Sequence, residues 1–413
     1  MIVTDPAVPI NGTLPLFNAS FRTWQRDTGS DGLLPIIGIS GTRGKSTVLR
    51  LLEAMLNDTH LRSATWTDQG VQIRGRRQPG ELSGWTHALT RLSEGSLDVA
   101  LQELDWATVN AVGLPQSSYP VMALTNLRER ASSEEYSHSL QSAMRAAQQV
   151  VSAVADDGFI VVNADDHYAV NAVADTDATV LYVALSHLSP SLHDHLEDGG
   201  TGVWVQQGSV MLGGRHRAIR LCNVRDIPFT MGGEASFNVT NALIAVGLAC
   251  GLGIDLPCVI RSLRAFRSTW GILPGSMNTY ETGEWRAAVD QIGPAWVLRP
   301  VLRAINPGAS RRQVSVIGDL GAVDAEEVQE LGRLLGRFHG AIVLHSEQDE
   351  RLVELFRHGL ASNPYPPLLI RLPTERRAIN RAFKALKSGD VLLVLASGDS
   401  SAVHRAIRRH IPE

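Results

Sequence analysis

Residues 38–56 read GISGTRGKSTVLRLLEAML, and this stretch decides the predicted fold. An apolar run at residues 33–39 leads into it, and an amphipathic helical pattern follows it. Between the two lie Gly41, Gly44, Lys45, Ser46 and Thr47. Glycines let backbone N–H groups approach phosphate oxygens, and the N-terminus of a helix favours negative charge. The stretch therefore predicts a strand, a phosphate-binding loop and a helix.

The spacing of this loop departs from the common phosphate-binding pattern. The strict pattern G-x-x-x-x-G-K-S needs glycine at position 39, where the chain has Ile39. The observed spacing is G-x-x-G-x-x-G-K-S, in which Lys45 can reach the outer phosphates and the Ser46 hydroxyl can bind Mg²⁺. A glycine-rich turn that binds no ligand is the alternative interpretation.

The composition indicates a soluble protein of two or three domains. Of 413 residues, 44% are hydrophobic and 19% are charged, and the formal net charge is −4. That charge argues against general binding to nucleic acid or to anionic membranes. No apolar run approaches the ~20 residues of a membrane helix, and the N-terminus does not resemble a secretory signal. We therefore expect a cytoplasmic protein with buried, reduced thiols at Cys222, Cys250 and Cys258.

The chain divides into an extension and two predicted α/β domains. We interpret residues 1–34 as an N-terminal extension. In residues 35–270, short apolar strands alternate with helices, which predicts a mostly parallel sheet covered on both faces. Residues 200–232 interrupt this alternation with turn signals that predict a small antiparallel insert. After WGILPGS (270–276), a second series of strands and helices predicts a Rossmann-like C-terminal domain at residues 271–413.

The loop GTRGKSTVLRL resembles that of the Mur ligase superfamily, whose pattern is G-T-x-G-K-[ST]. Because Arg43 follows Thr42, it is most similar to the ligase subunit of poly-γ-glutamate synthase. Later blocks of the superfamily are similar to LDVALQEL, TNLRE, NADD, FNVTNALIAVGLACGLGI and LPGSMNTYETGEWRAAVDQ. The resemblance covers about residues 35–300. It implies a Mur-ligase-like, ATP-binding central domain followed by the Rossmann-like domain.

The resemblance also implies a reaction. ATP phosphorylates a carboxylate to give an acyl phosphate and ADP, and the amine of an amino acid then attacks to form an amide and release phosphate. The implied cofactors are ATP and Mg²⁺, and Mg²⁺ and Lys45 would balance the charge on the transferred group. The implied partners are small-molecule carboxylate and amino acid substrates, with a second copy of the chain or a synthase subunit as further options.

The resemblance assigns site residues by position. The nucleotide site comprises Gly41, Thr42, Arg43, Gly44, Lys45, Ser46, Thr47, Asn238 and Asp290. In this assignment Asn238 lies near the adenine, and Asp290 contacts the nucleotide once the domains close. Ser46 and Glu103 hold Mg²⁺, and Lys45, Glu103 and Arg130 form the catalytic set. The basic segment supplies Arg74, Arg76 and Arg77 for an acidic substrate.

Simpler interpretations stay open for four of these assignments. Asp105 is a rival to Glu103 as the metal ligand. Asn238 has the residue type of a helix N-cap, and Asp290 could be an ordinary loop acid. The arginines at 74–77 could form a solvated basic loop.

Three departures from the superfamily pattern concern the metal site and the C-terminal domain. Arg130 and Ala131 stand where the family has an Asp-His pair that helps to bind a second metal. No lysine lies between Lys45 and Lys384, so the carbamylated lysine of many relatives is absent. Residues 293–294 are Gly-Pro instead of containing a histidine, and VIGDLGAVD lacks an Arg-Asp pair. Two explanations compete: the fixed guanidinium of Arg130 takes the place of the second cation, or the ligase is degenerate and serves as a binding partner.

The leading hypothesis is therefore an ATP-dependent ligase that joins an amino acid to a carboxylate. The poly-γ-glutamate synthase polymerase often starts with an apolar anchor, which is not seen at the start of this sequence, so a single addition is the simpler expectation. Two alternatives stay open. One is a folylpolyglutamate- or peptidoglycan-type ligase, and the other is a catalytically weak nucleotide-binding subunit of a larger complex.

Overall fold

The computed structural model describes residues 2–4, 35–59, 61–67, 70–73, 76–77, 97–114, 118–127, 134–305 and 312–411. The chain forms two compact units, Met1–Phe266 and Arg267–Glu413. The sequence had placed this boundary after residue 270. Within the described ranges, none of the helices combines the length and the apolar character that crossing a membrane requires.

The N-terminal unit is built on one long sheet. Its described strands are β1 Ile2–Thr4, β2 Ile36–Ser40, β3 Ser63–Thr67, β4 Gly70–Ile73, β5 Arg76–Arg77, β6 Val99–Leu104, β7 Tyr119–Leu124, β8 Val154–Asn163, β9 Thr179–Ala184, β10 Thr201–Gln206, β11 Ser209–Gly213 and β12 Arg217–Asn223. Its described helices are α1 Lys45–Asn57, α2 Trp106–Val112, α3 Glu134–Ser152, α4 His167–Ala172, α5 Pro190–Glu197, α6 Ser236–Gly251 and α7 Leu256–Ala265. Short 3₁₀ segments at Val224–Asp226 and Pro228–Gly233 lead into α6.

The strand order of this sheet is β1-β12-β11-β10-β9-β8-β7-β2-β6-β3-β4-β5. The strands from β10 through β9, β8, β7, β2 and β6 to β3 pair in parallel, as the sequence predicted. The predicted antiparallel insert is the meander β10–β12, which extends the main sheet and does not form a separate hairpin. Beyond it, β1 adds in parallel to β12.

Strand β2 lies in the interior of the sheet, between β6 and β7. Its isoleucines at 36, 37 and 39 are fully buried, which explains why both faces of this strand are apolar. From β2 the chain first builds β3 and β6 on one side, and later β7, β8 and β9 on the other. Such a change of direction leaves a crevice at the carboxyl ends of the strands. The loop that follows β2 therefore opens into the usual ligand position of an open α/β sheet.

The C-terminal unit has a second, smaller sheet. Its described strands are β13 Asn278–Glu281, β14 Arg286–Gln291, β15 Gln313–Ile317, β16 Gly340–His345, β17 Leu368–Leu372 and β18 Val391–Ala396. Its described helices are α8 Ala295–Ile305, α9 Ala325–Leu335, α10 Glu350–Ala361, α11 Glu375–Ala385 and α12 Ser401–Arg408. The order is β13-β14-β18-β15-β16-β17, with every pair parallel except β13–β14. This arrangement confirms the predicted second, mostly parallel α/β unit.

Helices α11 and α12 share one face of this second sheet. Their buried residues Ala378, Ile379, Ala382, Val403 and Ile407 belong to one core cluster with Val314, Val316, Leu392 and Val394 of the strands. Helices α9 and α10 pack closely against each other, and α8 packs against α9. Among the described residues, these three helices contribute nothing to that cluster, which places them on the opposite face.

The three cysteines are free and buried, as predicted. Burial raises the pKa of the Cys250 thiol to about 12 and that of Cys222 to about 11. Both thiols are therefore protonated and weakly nucleophilic at neutral pH. They act as small apolar residues in the core.

The contact between α9 and α10 yields a stability prediction. A Cβ at Gly359 would lie 2.0 Å from the Gln329 carbonyl oxygen, and one at Gly332 would lie 2.2 Å from the Phe356 carbonyl oxygen. Because backbone atoms cannot yield easily, Gly359→Ala should lower the free energy of unfolding by ~1–3 kcal/mol, as overpacking does elsewhere. Urea unfolding measures the change. Gly283→Ala is the control, since a Cβ there meets no described atom within 4 Å; equal stability of both variants would contradict the prediction.

Candidate active site

The loop between β2 and α1 has a backbone that suits glycine. Gly41 has a φ of 143° and Gly44 a φ of 90°, both in the left-handed region. Gly44 is also the N-cap of α1, so no side chain caps this helix within the described structure. The first N–H groups of a helix have no partner inside the helix. They are therefore available to an anion at the mouth of the loop.

The end of β7 holds this loop in place through hydrogen bonds. The Thr125 hydroxyl donates to the Arg43 carbonyl oxygen over 2.7 Å, and Asn126 Nδ2 donates to the same oxygen over 3.1 Å. The Arg43 N–H donates to Asn126 Oδ1 over 3.2 Å. The Thr42 N–H donates to the Asn126 carbonyl oxygen over 2.9 Å. Asn126 thus fixes the loop from a neighbouring strand through both its side chain and its backbone.

Both loop glycines also lie where a side chain has no room. A Cβ at Gly41 would come within 1.9 Å of Thr125 Oγ1. A Cβ at Gly44 would come within 2.3 Å of Asn241 Oδ1, which belongs to α6. The glycines are therefore required twice, by the backbone angles and by the close approach of residues from two other elements.

Two polar groups of the loop are suited to a phosphate. The Lys45 ammonium donates to the Gly41 carbonyl oxygen over 2.8 Å, so this hydrogen bond spans the loop. The Thr42 hydroxyl is buried and has no hydrogen-bond partner among the described residues. A buried hydroxyl of this kind is normally satisfied by water or by a ligand. Together with the free helix N-terminus and the glycine backbone, these groups fit a nucleotide phosphate.

Glu103 lies on the strand next to the loop strand. It pairs in register with Ile39, two residues before Gly41, and its side chain is half-buried. Ala100 and Leu104 belong to a core cluster to which α1 adds no described residue. Because neighbouring residues of a strand face opposite sides, Glu103 faces the side of α1. The structure thus brings Glu103 to the edge of the sheet from which the loop and α1 begin.

Asp105, the rival metal ligand, has another role. Its carboxylate accepts hydrogen bonds from the N–H groups of Ala107 and Thr108, over 3.1 and 3.3 Å, and so caps α2. In the described structure no three His, Cys, Asp or Glu side chains gather as a metal site. Mg²⁺ is usually held by one or two protein groups together with water and phosphate oxygens. Ser46 and Glu103 fit that sparse donor set.

Asn238 lies in the first turn of α6, and its interpretation as a helix N-cap is wrong. The helix begins at Ser236, with Ala235 as the N-cap. Asn238 Nδ2 donates to the Phe229 carbonyl oxygen over 2.8 Å. Its Oδ1 accepts from Asn241 Nδ2 over 3.3 Å. The buried pair therefore connects the turn before α6 with the side chain that faces Gly44, while contact of Asn238 with an adenine stays a prediction.

In the C-terminal unit, Asp290 lies on β14 and is 5% exposed, so its interpretation as a loop acid is wrong. Its Oδ1 accepts from the Gln291 N–H over 2.9 Å. The Gln291 side chain makes two bonds to the backbone of Gly398: its Nε2 donates to the carbonyl oxygen over 3.1 Å, and its Oε1 accepts from the N–H over 3.3 Å. A role of Asp290 in nucleotide binding stays a prediction.

The predicted substrate arginines are only partly within the described structure. Arg76 and Arg77 form β5, the last strand at one end of the sheet, and Arg76 is exposed. Arg74 and Arg130 lie outside the described residues, and their roles stay predictions.

Three residues of the site were not among those predicted from the sequence: Thr125, Asn126 and Asn241. The first two lie in TNLRE and the third in FNVTN, two blocks that the sequence had already singled out. The sequence does not show that these residues lie close to the loop in space, because they follow Arg43 by 82, 83 and 198 positions. The only signal available was a pair of short polar residues at the end of an apolar strand.

The close approach at Gly44 gives a binding prediction. Gly44→Ala adds a clash with Asn241 and left-handed strain of about 1–2 kcal/mol, so the affinity for an ATP analogue should fall roughly tenfold or more. Isothermal titration calorimetry measures the change. Gly113→Ala is a matched control, because Gly113 has a φ of 77° but no described atom lies near its Cβ position. An unchanged dissociation constant for Gly44→Ala would contradict the role of the loop.

One family model and several known proteins match this chain. The Mur ligase middle domain model matches residues 39–249. A cyanophycin synthetase of a Nostoc species is 24% identical over 379 residues, 90% of this chain but 42% of that protein. The UDP-N-acetylmuramoyl-L-alanyl-D-glutamate–2,6-diaminopimelate ligase of Gloeobacter violaceus is 24% identical over 88% of this chain and 72% of that protein. The chain thus spans less than half the length of the cyanophycin synthetases that it matches.

Solved structures share the fold over nearly the whole chain. E. coli FolC in complex with DHPP and ADP aligns with a TM-score of 0.67 at 14% identity, covering 97% of this chain and 95% of that one. The bifunctional folylpolyglutamate synthase/dihydrofolate synthase of Yersinia pestis, complexed with AMPPNP and a Mn ion, aligns with a TM-score of 0.65 at 16% identity, covering 98% and 95%. Since the family model covers about half of the chain and includes the loop, α1 and the Asn238–Asn241 pair, the chain belongs to the Mur ligase family.

Proposed function

We propose that this chain is an ATP-dependent amide-bond ligase. It activates a carboxylate as an acyl phosphate and couples it to the amine of an amino acid, with release of ADP and phosphate. The observation that carries the proposal is the glycine loop, whose Gly41 is closed in by Thr125, just after β7, and whose Gly44 is closed in by Asn241 of α6. Family membership supports it, as do the AMPPNP and Mn ion bound in the Yersinia pestis relative.

The loop residues have distinct tasks in this proposal. The N–H groups at the start of α1 bind phosphate oxygens. Lys45 has three N–H donors, of which one is bonded to the Gly41 carbonyl and two remain for phosphate. Ser46 and Glu103 would hold Mg²⁺, which neutralises charge on the phosphates when bound. The buried Thr42 hydroxyl supplies one further donor.

The chemical need for activation follows from the acid. A carboxylate at neutral pH is a poor electrophile, and its phosphorylation creates a leaving group. The amine then forms the C–N bond, the bond between the acyl carbon and the phosphate oxygen breaks, and the amine loses a proton. Alignment of the reactants can contribute up to ~7–11 kcal/mol to such a step. The protein supplies that alignment through a loop that is already held in one conformation.

Three observations bear on the substrate class. The arginine after Thr42 resembles the poly-γ-glutamate synthase subunit, whereas the curated relatives named above are a cyanophycin synthetase and a 2,6-diaminopimelate ligase. The name of the second relative, a 2,6-diaminopimelate ligase, supports an amino acid as the amine donor. The exposed Arg76 of β5 supports an acid substrate that carries further negative charge.

The activity is tested by release of ADP. The purified chain with ATP and Mg²⁺ should release ADP only when both a carboxylate and an amino acid are present, in a screen of the twenty amino acids against dipeptide and polyacid acceptors. Lys45→Met should reduce the rate at least 100-fold, because removal of one electrostatic contact to the transferring group typically has an effect of about 10²–10³. Absence of amine-dependent ADP release with every combination would refute the proposal.

A second test concerns Arg130, the predicted replacement for the second cation. Arg130→Ala should lower kcat by roughly 100-fold, because the charge on the transferred group loses its partner, while the dissociation constant for the ATP analogue should change little. Arg145→Ala is the control, since Arg145 is an exposed residue of α3. If both variants turn over like the parent, Arg130 has no catalytic role.

A further inference from the structure

Two neighbouring helices of the C-terminal unit carry a dense set of cations. The exposed ones are Arg376, Arg377, Arg381 and Lys384 on α11, Lys387 just after it, Arg405 and Arg408 on α12, and Arg409 just after it. We call these eight side chains the cationic face. Phe383 stacks on His410 with ring centroids 3.8 Å apart, which holds the end of α12 against α11. The two helices therefore lie next to each other on the same face of the sheet.

The cationic face lacks the ion pairs found elsewhere in the same unit. On the other helices, Arg299 and Arg333 both pair with Glu330, and Arg357 pairs with Glu354. At the edge strand β17, Arg371 pairs with Glu350. By contrast, none of the eight cations lies within 4.0 Å of an Asp or Glu oxygen of the described residues. The difference lies within one small domain, so it does not reflect the composition of the chain.

Local sequence explains why these cations stay unpaired. Residues 375–411 contain eight Lys or Arg but three Asp or Glu, although the whole chain has a net charge of −4. Of the three acids, Asp390 is buried and lies 3.8 Å from Arg312. Asp399 accepts hydrogen bonds from Ser401, which lower the pKa of its carboxyl, and the more distant charge of Arg405 adds to that lowering. Glu375 is the third, at the start of α11. The face thus carries a clear positive excess.

The spacing of these positive charges along the two helices lowers the stability of the helices when no anion is bound. Arg377 and Arg381 are four residues apart on α11, and Arg405 and Arg409 are four residues apart at α12. Like charges at this spacing repel and destabilise a helix. A bound polyanion would remove that repulsion.

We propose that the cationic face binds the acidic, carboxylate-bearing peptide chain on which the ligase acts, an assignment that rests on the proposed function. Guanidinium groups bind carboxylates in a planar, bidentate way. Successive turns of a helix are ~5.4 Å apart, and side chains on one side of an extended peptide repeat every ~6.8 Å, so a row of carboxylates can follow a row of arginines. Neither helix carries a large exposed hydrophobic residue, which argues against insertion into a lipid surface.

The cationic face should make the affinity of the ligase for its acceptor depend on the length of the acceptor. A long acidic chain contacts several cations of the face at once, and each contact raises the effective concentration of its other carboxylates at the neighbouring cations. A short acid contacts few of these cations and gains little from the face. The proposal therefore predicts a dependence on substrate length that a general charge effect would not give.

The test measures binding of a fluorescein-labelled decaglutamate by anisotropy in 50 mM and 200 mM NaCl. Arg377→Gln/Arg381→Gln/Lys384→Gln and Arg405→Gln/Arg408→Gln/Arg409→Gln should each weaken binding at least tenfold and reduce its salt dependence. Arg217→Gln/Arg220→Gln/Arg225→Gln removes the same charge from exposed positions at β12 and the 3₁₀ turn after it, and it should change affinity less than twofold. Thermal unfolding should show an equal or higher Tm for the two face variants, because repulsion is relieved.

Two outcomes would overturn the inference. One is equal binding of decaglutamate by the parent and both face variants. The other is that duplex RNA or phosphatidylserine vesicles, at an equal concentration of charges, bind more tightly than decaglutamate, which would assign the surface to another class of partner.

In the ligase assay, the face variants should raise KM for a decaglutamate acceptor about tenfold and leave the rate with a single glutamate unchanged. If decaglutamate binding depends on the cationic face but no ADP is released, the proposed ligase function is refuted, while the cationic face remains a binding surface for acidic peptides.

Discussion

The close approach of two side chains to a glycine loop is the constraint on which the site depends. Thr125 fills the space where Gly41 would carry a Cβ, and Asn241 does the same at Gly44. One of these side chains follows a strand next to β2, and the other belongs to the helix that packs on α1. The loop can therefore keep its shape only when the sheet and both helices are assembled, which ties the chemistry of the site to the folding of the whole N-terminal unit.

Much of this architecture can be predicted from local sequence. The loop, the parallel sheet and the second α/β unit all follow from short apolar strands, glycines and helical periodicity, and the structure has each of them. The errors have local physical causes. Asn238 was open to interpretation as an N-cap, but Met231 and Gly232 adopt left-handed angles in the turn before α6, and the helix begins two residues before Asn238. That turn conformation depends on packing and cannot be inferred from residue types.

The contacts between distant segments are the part that could not be predicted. Asn126 has the composition of many strand ends, yet it makes three hydrogen bonds to the loop 83 residues earlier. Asp105 and Glu103 are both acidic and two positions apart, and the end of β6 at Leu104 with the start of α2 separates a capping residue from a candidate ligand. Tertiary geometry, not residue chemistry, makes these distinctions.

The loop lysine has a practical consequence for studying the protein. The chain contains three lysines, at positions 45, 384 and 387, so amine-directed reagents have few side chains to modify. Lys384 and Lys387 are exposed, whereas the Lys45 ammonium is half-buried and bonded to the Gly41 carbonyl. Its rate of acylation would therefore report the state of the loop, with the two exposed lysines as an internal reference in the same molecule. One side chain at the phosphate loop can therefore be followed by mass spectrometry without an engineered label.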